Sequence, residues 1–122
     1  MAGKLVTLNP NNIKPLHGVR IKSLYAALLK QMKTDGWNGR PLLVVEHEGG
    51  YQAWTGSHRI AAAREAHLNV PCYVLPEEPL QAIGKDAVNG HILNWERNAL
   101  LHQAFPDDAE ALNLMAADAN EN

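Results

Sequence analysis

One cysteine, one phenylalanine and no apolar stretch of membrane-spanning length are what the 122-residue sequence most conspicuously lacks. With Cys72 as the only thiol, an internal disulfide and a cysteine-based zinc site within one chain are excluded. In Val70-Pro71-Cys72-Tyr73-Val74-Leu75 that thiol reads as a buried strand residue and not a reactive one. No apolar segment approaches the ~20 residues of a bilayer-spanning helix. Met1-Ala2-Gly3-Lys4 opens no signal-peptide h-region, so the expectation is a soluble, cytoplasmic chain with no membrane partner. The six histidines form no pair with established ligand spacing, and a metal bound entirely by protein side chains is not expected. Basic charge is also in short supply. Residues 1–104 carry a net +3 and residues 105–122 a net −5, which lacks the strong footprint of an independent nucleic-acid binder.

What is present suits one small domain. With 46% hydrophobic and 20% charged residues, the chain can bury a single core. Lys4-Leu5-Val6-Thr7-Leu8 reads as a first strand, closed by Asn9-Pro10-Asn11-Asn12. After the loop Ile13-Lys14-Pro15-Leu16-His17-Gly18, apolar residues Ile21, Leu24, Leu28 and Met32 repeat at helical spacing. That pattern predicts an amphipathic helix ended by Gly36. Pro41-Leu42-Leu43-Val44-Val45-Glu46 is an unbroken apolar run, which predicts a strand covered on both faces. Gly49-Gly50 predicts a hairpin into Tyr51-Gln52-Ala53-Trp54, then an alanine-rich helix and a strand from Val70 to Leu75.

Pro76-Glu77-Glu78-Pro79 breaks the pattern and marks the edge of a core unit, residues 1–80. Residues 81–122 read as a C-terminal helical extension with an acidic tail. Val88, Ile92, Trp95 and Ala99 predict a helix from about 84 to 102, by their i, i+4, i+7, i+11 spacing. A short helix follows Pro106-Asp107-Asp108, and residues 106–122 are expected to be dispensable for folding. The fold class is therefore α+β, a small mixed β-sheet flanked by helices.

The segment richest in chemistry is Thr55-Gly56-Ser57-His58-Arg59, set between the strand ending at Trp54 and the helix beginning Ile60-Ala61-Ala62-Ala63. A strand, a glycine turn and a helix start place unpaired backbone N–H groups and the positive end of the helix dipole at one point, which suits a phosphate. Arg59 adds a guanidinium that can grip an anion in bidentate fashion, with little role in the core. His58 adds a donor or a proton carrier. The same residues also describe a plain βα turn with Ser57 as the helix N-cap.

In order and spacing, the first strand, Ile13-Lys14-Pro15-Leu16, the amphipathic helix, Pro41-Leu42-Leu43-Val44-Val45, the strand to Trp54, Gly56-Ser57-His58-Arg59 running into Ala61-Ala62-Ala63, and Val70-Pro71 resemble the ParB/sulfiredoxin superfamily over residues 4–80. The resemblance implies a nucleotide ligand, ATP, ADP or CTP, with any Mg²⁺ held largely by phosphate and water. It implies that Gly56, Ser57, His58 and Arg59 cradle phosphates and that Arg20 and Ser23, on the first helix, face the nucleotide. His58 and His17 are then the nearby candidates for proton transfer, and the expected activity is nucleotide hydrolysis or phosphoryl transfer.

The departures narrow this expectation. Ser57 stands where sulfiredoxins carry their nucleophilic cysteine, so sulfinic-acid repair by that chemistry is not expected. Partition proteins usually carry a Glu and two consecutive Arg in this turn, and continue into a large DNA-binding region that the last ~40 residues cannot supply. The serine kinases of the family use an acid near the loop matching Leu16-His17-Gly18, yet no Asp or Glu occurs between Met1 and Asp35. A ParB-like DNA-associated protein, a nuclease or partition accessory, is the alternative and is not favoured. The sequence is compatible with a homodimer.

Overall fold

The apolar run from Leu42 becomes the middle of a five-stranded sheet in the computed structural model, which describes residues 2–84, 87–88 and 94–121. The strands are β1 (Lys4–Leu8), β2 (Ile13–Lys14), β3 (Leu42–His47), β4 (Gly50–Ala53) and β5 (Val70–Leu75), in the spatial order β1-β5-β3-β4-β2. β3 runs parallel to β5, with Leu42 opposite Cys72, and antiparallel to β4, with Val45 opposite Gln52. At the edges β1 is antiparallel to β5 and β2 is parallel to β4, so the sheet is mixed as expected.

Because side chains alternate across a strand, β3 feeds two cores. Leu42 and Val44 join Met32, Ile60, Cys72 and Val74 under α1 (Lys22–Asp35) and α2 (Ser57–Glu65). Leu43 and Val45 join Trp54, Tyr73 and Leu75 under α3 (Glu78–Gln81), α4 (Asn94–Ala104) and α5 (Ala109–Glu121). All four β3 residues from Leu42 to Val45 are 0% exposed, the burial predicted from the unbroken run. The hairpin between β3 and β4 turns on Glu48 and Gly49, both at positive φ (51° and 78°), the handedness that matches strand twist. Gly36 closes α1 at φ 75°, donating its N–H to the Met32 carbonyl. Cys72 is buried, and desolvation pushes its thiol up to about 12, far from reactive.

The structure corrects several sequence-based expectations. Ile21 is 51% exposed and sits at the N-cap of α1, so the buried face of that helix is carried by Tyr25, Leu28, Leu29 and Met32. A one-turn helix, α3, forms where the proline-bounded break was expected, since Pro79 at a helix start sacrifices no intrahelical bond. No helix begins at 84: Ala82–Ile83 and Ala87–Val88 are turns, and α4 is seen from Asn94. Ile92 and the Trp95 side chain of the expected stripe lie outside the described residues.

The largest correction concerns the tail. Ala111, Leu114 and Met115 of α5 are buried against the sheet. Asp108, 2% exposed, caps α5 by accepting the Ala111 N–H (3.2 Å) and also accepts the Tyr73 hydroxyl at 2.8 Å and the Gly3 N–H at 3.3 Å. Burial, and then the adjoining carboxylate, push the Tyr73 phenol up to about 12. One carboxylate thus joins the first strand's approach, the sheet and the last helix. Among the described residues no helix is long and apolar enough to cross a membrane.

Candidate functional site

Gly56 makes the site possible. It is the N-cap of α2, in the left-handed conformation at φ 76°, ψ 37°, and a Cβ there would lie 2.3 Å from Leu42 Cδ2. Only glycine turns the chain from the end of β4 into the helix at that approach. The strand continuation before it is pinned to β3, Trp54 N–H to the Leu43 carbonyl at 2.8 Å and Leu43 N–H to Thr55 Oγ1 at 3.0 Å. Ser57 is therefore the first helical residue, not the cap expected from sequence. Its hydroxyl accepts the His17 N–H at 3.4 Å instead of closing its own helix. The first intrahelical bond of α2 is Ile60 N–H to Gly56 O, at 2.9 Å. The N–H groups of Ser57, His58 and Arg59 thus belong to the open first turn.

His58 brings a second helix start to this one. Its Nε2 accepts the backbone N–H groups of Arg20 (3.1 Å) and Ile21 (3.0 Å), and Ile21 is the N-cap of α1. Two donors on Nε2 require the neutral tautomer with the proton on Nδ1. Burial lowers the His58 pKa, and the nearby charges of His17 and Arg20 lower it further. His17 packs edge-on against His58, ring centroids 5.5 Å apart, and its Nδ1 lies 2.7 Å from the Gly18 carbonyl. That contact makes Nδ1 the protonated nitrogen and leaves Nε2 as the basic one. The loop from His17 to Ile21 is thus laced to α2 by three backbone N–H groups.

The first turn of α1 lies beside the first turn of α2. Of the residues expected at the site, Gly56, Ser57, His58, His17 and Arg20 are brought together. Ser23 lies exposed in the first turn of α1. Arg59 corrects an expectation. Its Nη1 donates to the Arg40 carbonyl at 2.9 Å and its guanidinium lies over the Trp37 ring at 5.1 Å. It therefore ties the 37–40 connector to α2, a role in the fold that the sequence reading did not give it.

One participant was missed. Asp118, near the end of α5, accepts the Gly56 N–H on Oδ1 at 3.3 Å and is 6% exposed. Arg97 of α4, 5% exposed, lies close enough that the Asp118 charge opposes the lowering of its pKa by burial. The signal was in the spacing: Asp108, Ala111, Met115 and Asp118 fall at i, i+3, i+7 and i+10, which places both acids on the apolar stripe of α5. Arg97, Leu101 and Phe105 repeat at i, i+4 and i+8 on the facing segment. Elsewhere an open cleft of about 380 Å³ is lined in part by Lys14, Tyr51, Gln52 and Arg64. Arg64 spends its donors there on the carbonyls of Pro10 and Ile13, at 3.0 and 2.6 Å.

A pH dependence follows from His58. Its folded-state pKa lies below the ordinary 6.5, so the unfolded chain binds the proton more readily. The stabilisation from its two accepted hydrogen bonds is full above about pH 6.5 and declines as pH falls through the lowered value. The melting temperature is expected to fall between pH 7 and 5, and to fall less in His58→Gln, whose amide oxygen accepts an N–H without titrating. Parallel melting curves for the two proteins over that range would contradict this.

No protein-family model and no curated protein matches the chain. Solved structures do. Sulfiredoxin from Arabidopsis thaliana aligns with 65% of this chain and 94% of its own at 21% identity and a TM-score of 0.52. The C-terminally truncated chromosome-partitioning protein ParB from Caulobacter crescentus, complexed with CTP-gamma-S, aligns with 93% of this chain and 71% of its own, also at 21% identity and 0.52. With a five-stranded mixed sheet carrying α1 and α2 on one face and the Gly56 turn at the start of α2, the chain has the ParB/sulfiredoxin-like fold.

Proposed function

We propose that the protein binds a nucleotide through its phosphates at the turn Gly56-Ser57-His58-Arg59, with Arg20 contributing from the loop that leads into α1 and Ser23 from the first turn of that helix. The observation that carries this reading is the meeting of two helix starts, fixed by the bonds of the Arg20 and Ile21 N–H groups to His58 Nε2. Two helix starts, each with first-turn N–H groups and a positive dipole end, then lie side by side, with the Arg20 charge close to His58. The likeness to a ParB complexed with CTP-gamma-S supports the ligand class.

For turnover, the same donors would stabilise charge on the transferred phosphoryl group, the larger part of phosphoryl-transfer catalysis. His17 Nε2 is better suited than His58 to accept a proton from water or an acceptor hydroxyl, because His58 Nε2 already accepts two amides. Any Mg²⁺ would enter with the phosphates. The reaction proposed is hydrolysis of a nucleoside di- or triphosphate or transfer of its phosphoryl group. Ser57 serves as a backbone donor, its hydroxyl being bonded to the loop.

The test is a melting series with ATP, ADP, CTP and GTP, each with and without Mg²⁺. A ligand held only by the folded state adds about 2.7 kcal/mol at a hundredfold excess over Kd, enough to raise the midpoint visibly. Arg20→Ala is expected to reduce the rise while leaving the ligand-free midpoint nearly unchanged, since Arg20 is exposed. No rise with any nucleotide, alongside a rise with duplex DNA, would overturn the reading in favour of a DNA-associated protein.

A further inference from the structure

The carboxylate of Asp118 sits on the turn where the proposed function places phosphate. It reaches Gly56 from the sheet face opposite α1 and α2, because α5 packs with Leu43, Val45 and Trp54 while α2 packs with Leu42 and Val44. An acid 6% exposed on a stripe with Ala111, Leu114 and Met115 is costly unless it is answered. Here the Gly56 N–H and the Arg97 charge answer it. Gly56 is the N-cap, and the N–H groups of the next three residues make up the first turn of the same helix. A phosphate oxygen bound to Ser57 or His58 would therefore stand within a few ångströms of a negative charge already in place.

We propose that Asp118 is a built-in competitor for the phosphate turn, so that nucleotide binding and the seating of the last turns of α5 oppose one another. This rests on the nucleotide reading and adds its regulation. The carboxylate takes up one donor of the turn and cancels part of the positive end of the α2 dipole. Phosphate reverses both, by repelling the carboxylate and by offering Arg97 a second anion. Two ligands with unfavourable coupling weaken each other by the same factor, so whatever loosens the end of α5 strengthens nucleotide binding equally. A partner that takes hold of α5 would then act on the nucleotide site without touching it.

The experiment uses the whole chain. Calorimetry with Mg·CTP, Mg·ATP and inorganic triphosphate on wild type and Asp118→Asn is combined with hydrogen exchange of wild type with and without the same probes. Asp118→Asn keeps an oxygen to accept the Gly56 N–H and removes only the charge. It is expected to bind the polyphosphates about tenfold more tightly, within the usual range of coupling between sites. In wild type the amides of residues 116–121 are expected to exchange faster on saturation while those of α2 are protected, a readout that needs no variant. If wild type binds but the variant binds equally or more weakly and exchange in α5 does not rise, the competition is refuted and the nucleotide reading stands. If neither protein binds any of the probes, both are refuted.

Discussion

A chain ending at Phe105 is expected to lose cooperative folding. Removal of residues 106–122 takes away Ala111, Leu114 and Met115, together with the Asp108 carboxylate that holds the Tyr73 hydroxyl and the Gly3 N–H. It uncovers Leu43, Val45, Trp54 and Leu75, all 0% exposed in the intact protein. Burying a Leu or Met side chain stabilises by about 1.5–3 kcal/mol. Loss of the Tyr73 hydroxyl's hydrogen bond to a carboxylate costs about 1.5–3 kcal/mol more. Against a typical total of roughly 5–15 kcal/mol, these losses remove most or all of the stability. Near-ultraviolet circular dichroism and urea titration should show no native packing and no sharp transition. A truncated protein that melts like the whole one would mean that α5 is not part of the core.

Gly56→Ala is expected to damage stability and ligand binding together. Placing a Cβ at φ 76° costs about 1–2 kcal/mol in the left-handed region. The new carbon would also lie 2.3 Å from Cδ2 of Leu42, a side chain 0% exposed, and such overpacking adds typically about 1–3 kcal/mol. A lowering of stability by about 3 kcal/mol is the expected result in urea titration, together with loss of the melting-point rise from nucleotide. Relief of the clash requires the turn to move, and the first-turn N–H groups move with it. An unchanged urea midpoint would show that the turn can shift freely, and would weaken the claim that its geometry is fixed.

How legible the molecule is from sequence depends on the range of the interaction. The sheet's centre was legible because four consecutive apolar residues, Leu42 to Val45, admit almost no other placement. The Gly56 turn was legible because a glycine between strand and helix patterns has few other uses. Misreadings arose where a residue's partner is distant in sequence. Ile21 continues the apolar spacing of α1, yet its N–H is claimed by His58 and its side chain remains outside. Arg59 was legible only as an anion ligand because Trp37 and the Arg40 carbonyl, its partners in the fold, belong to a connector with no pattern of its own. The tail looked dispensable because its acids dominate its composition, whereas two of them, Asp108 and Asp118, lie on the buried stripe. Composition averages over the faces of a helix and hides that distinction.

The guanidinium over Trp37 gives the site an optical consequence. A cation held against an indole ring alters its excited state, and Arg59 is covalently part of the turn that would meet the ligand. Trp54, fully buried between the sheet and α5, emits from an apolar setting that global unfolding exposes. The molecule therefore carries one indole placed to register events at the turn and another placed to register loss of the fold. With Trp95, the third tryptophan, replaced by Phe, the further change Trp37→Phe separates their signals in a simple emission titration.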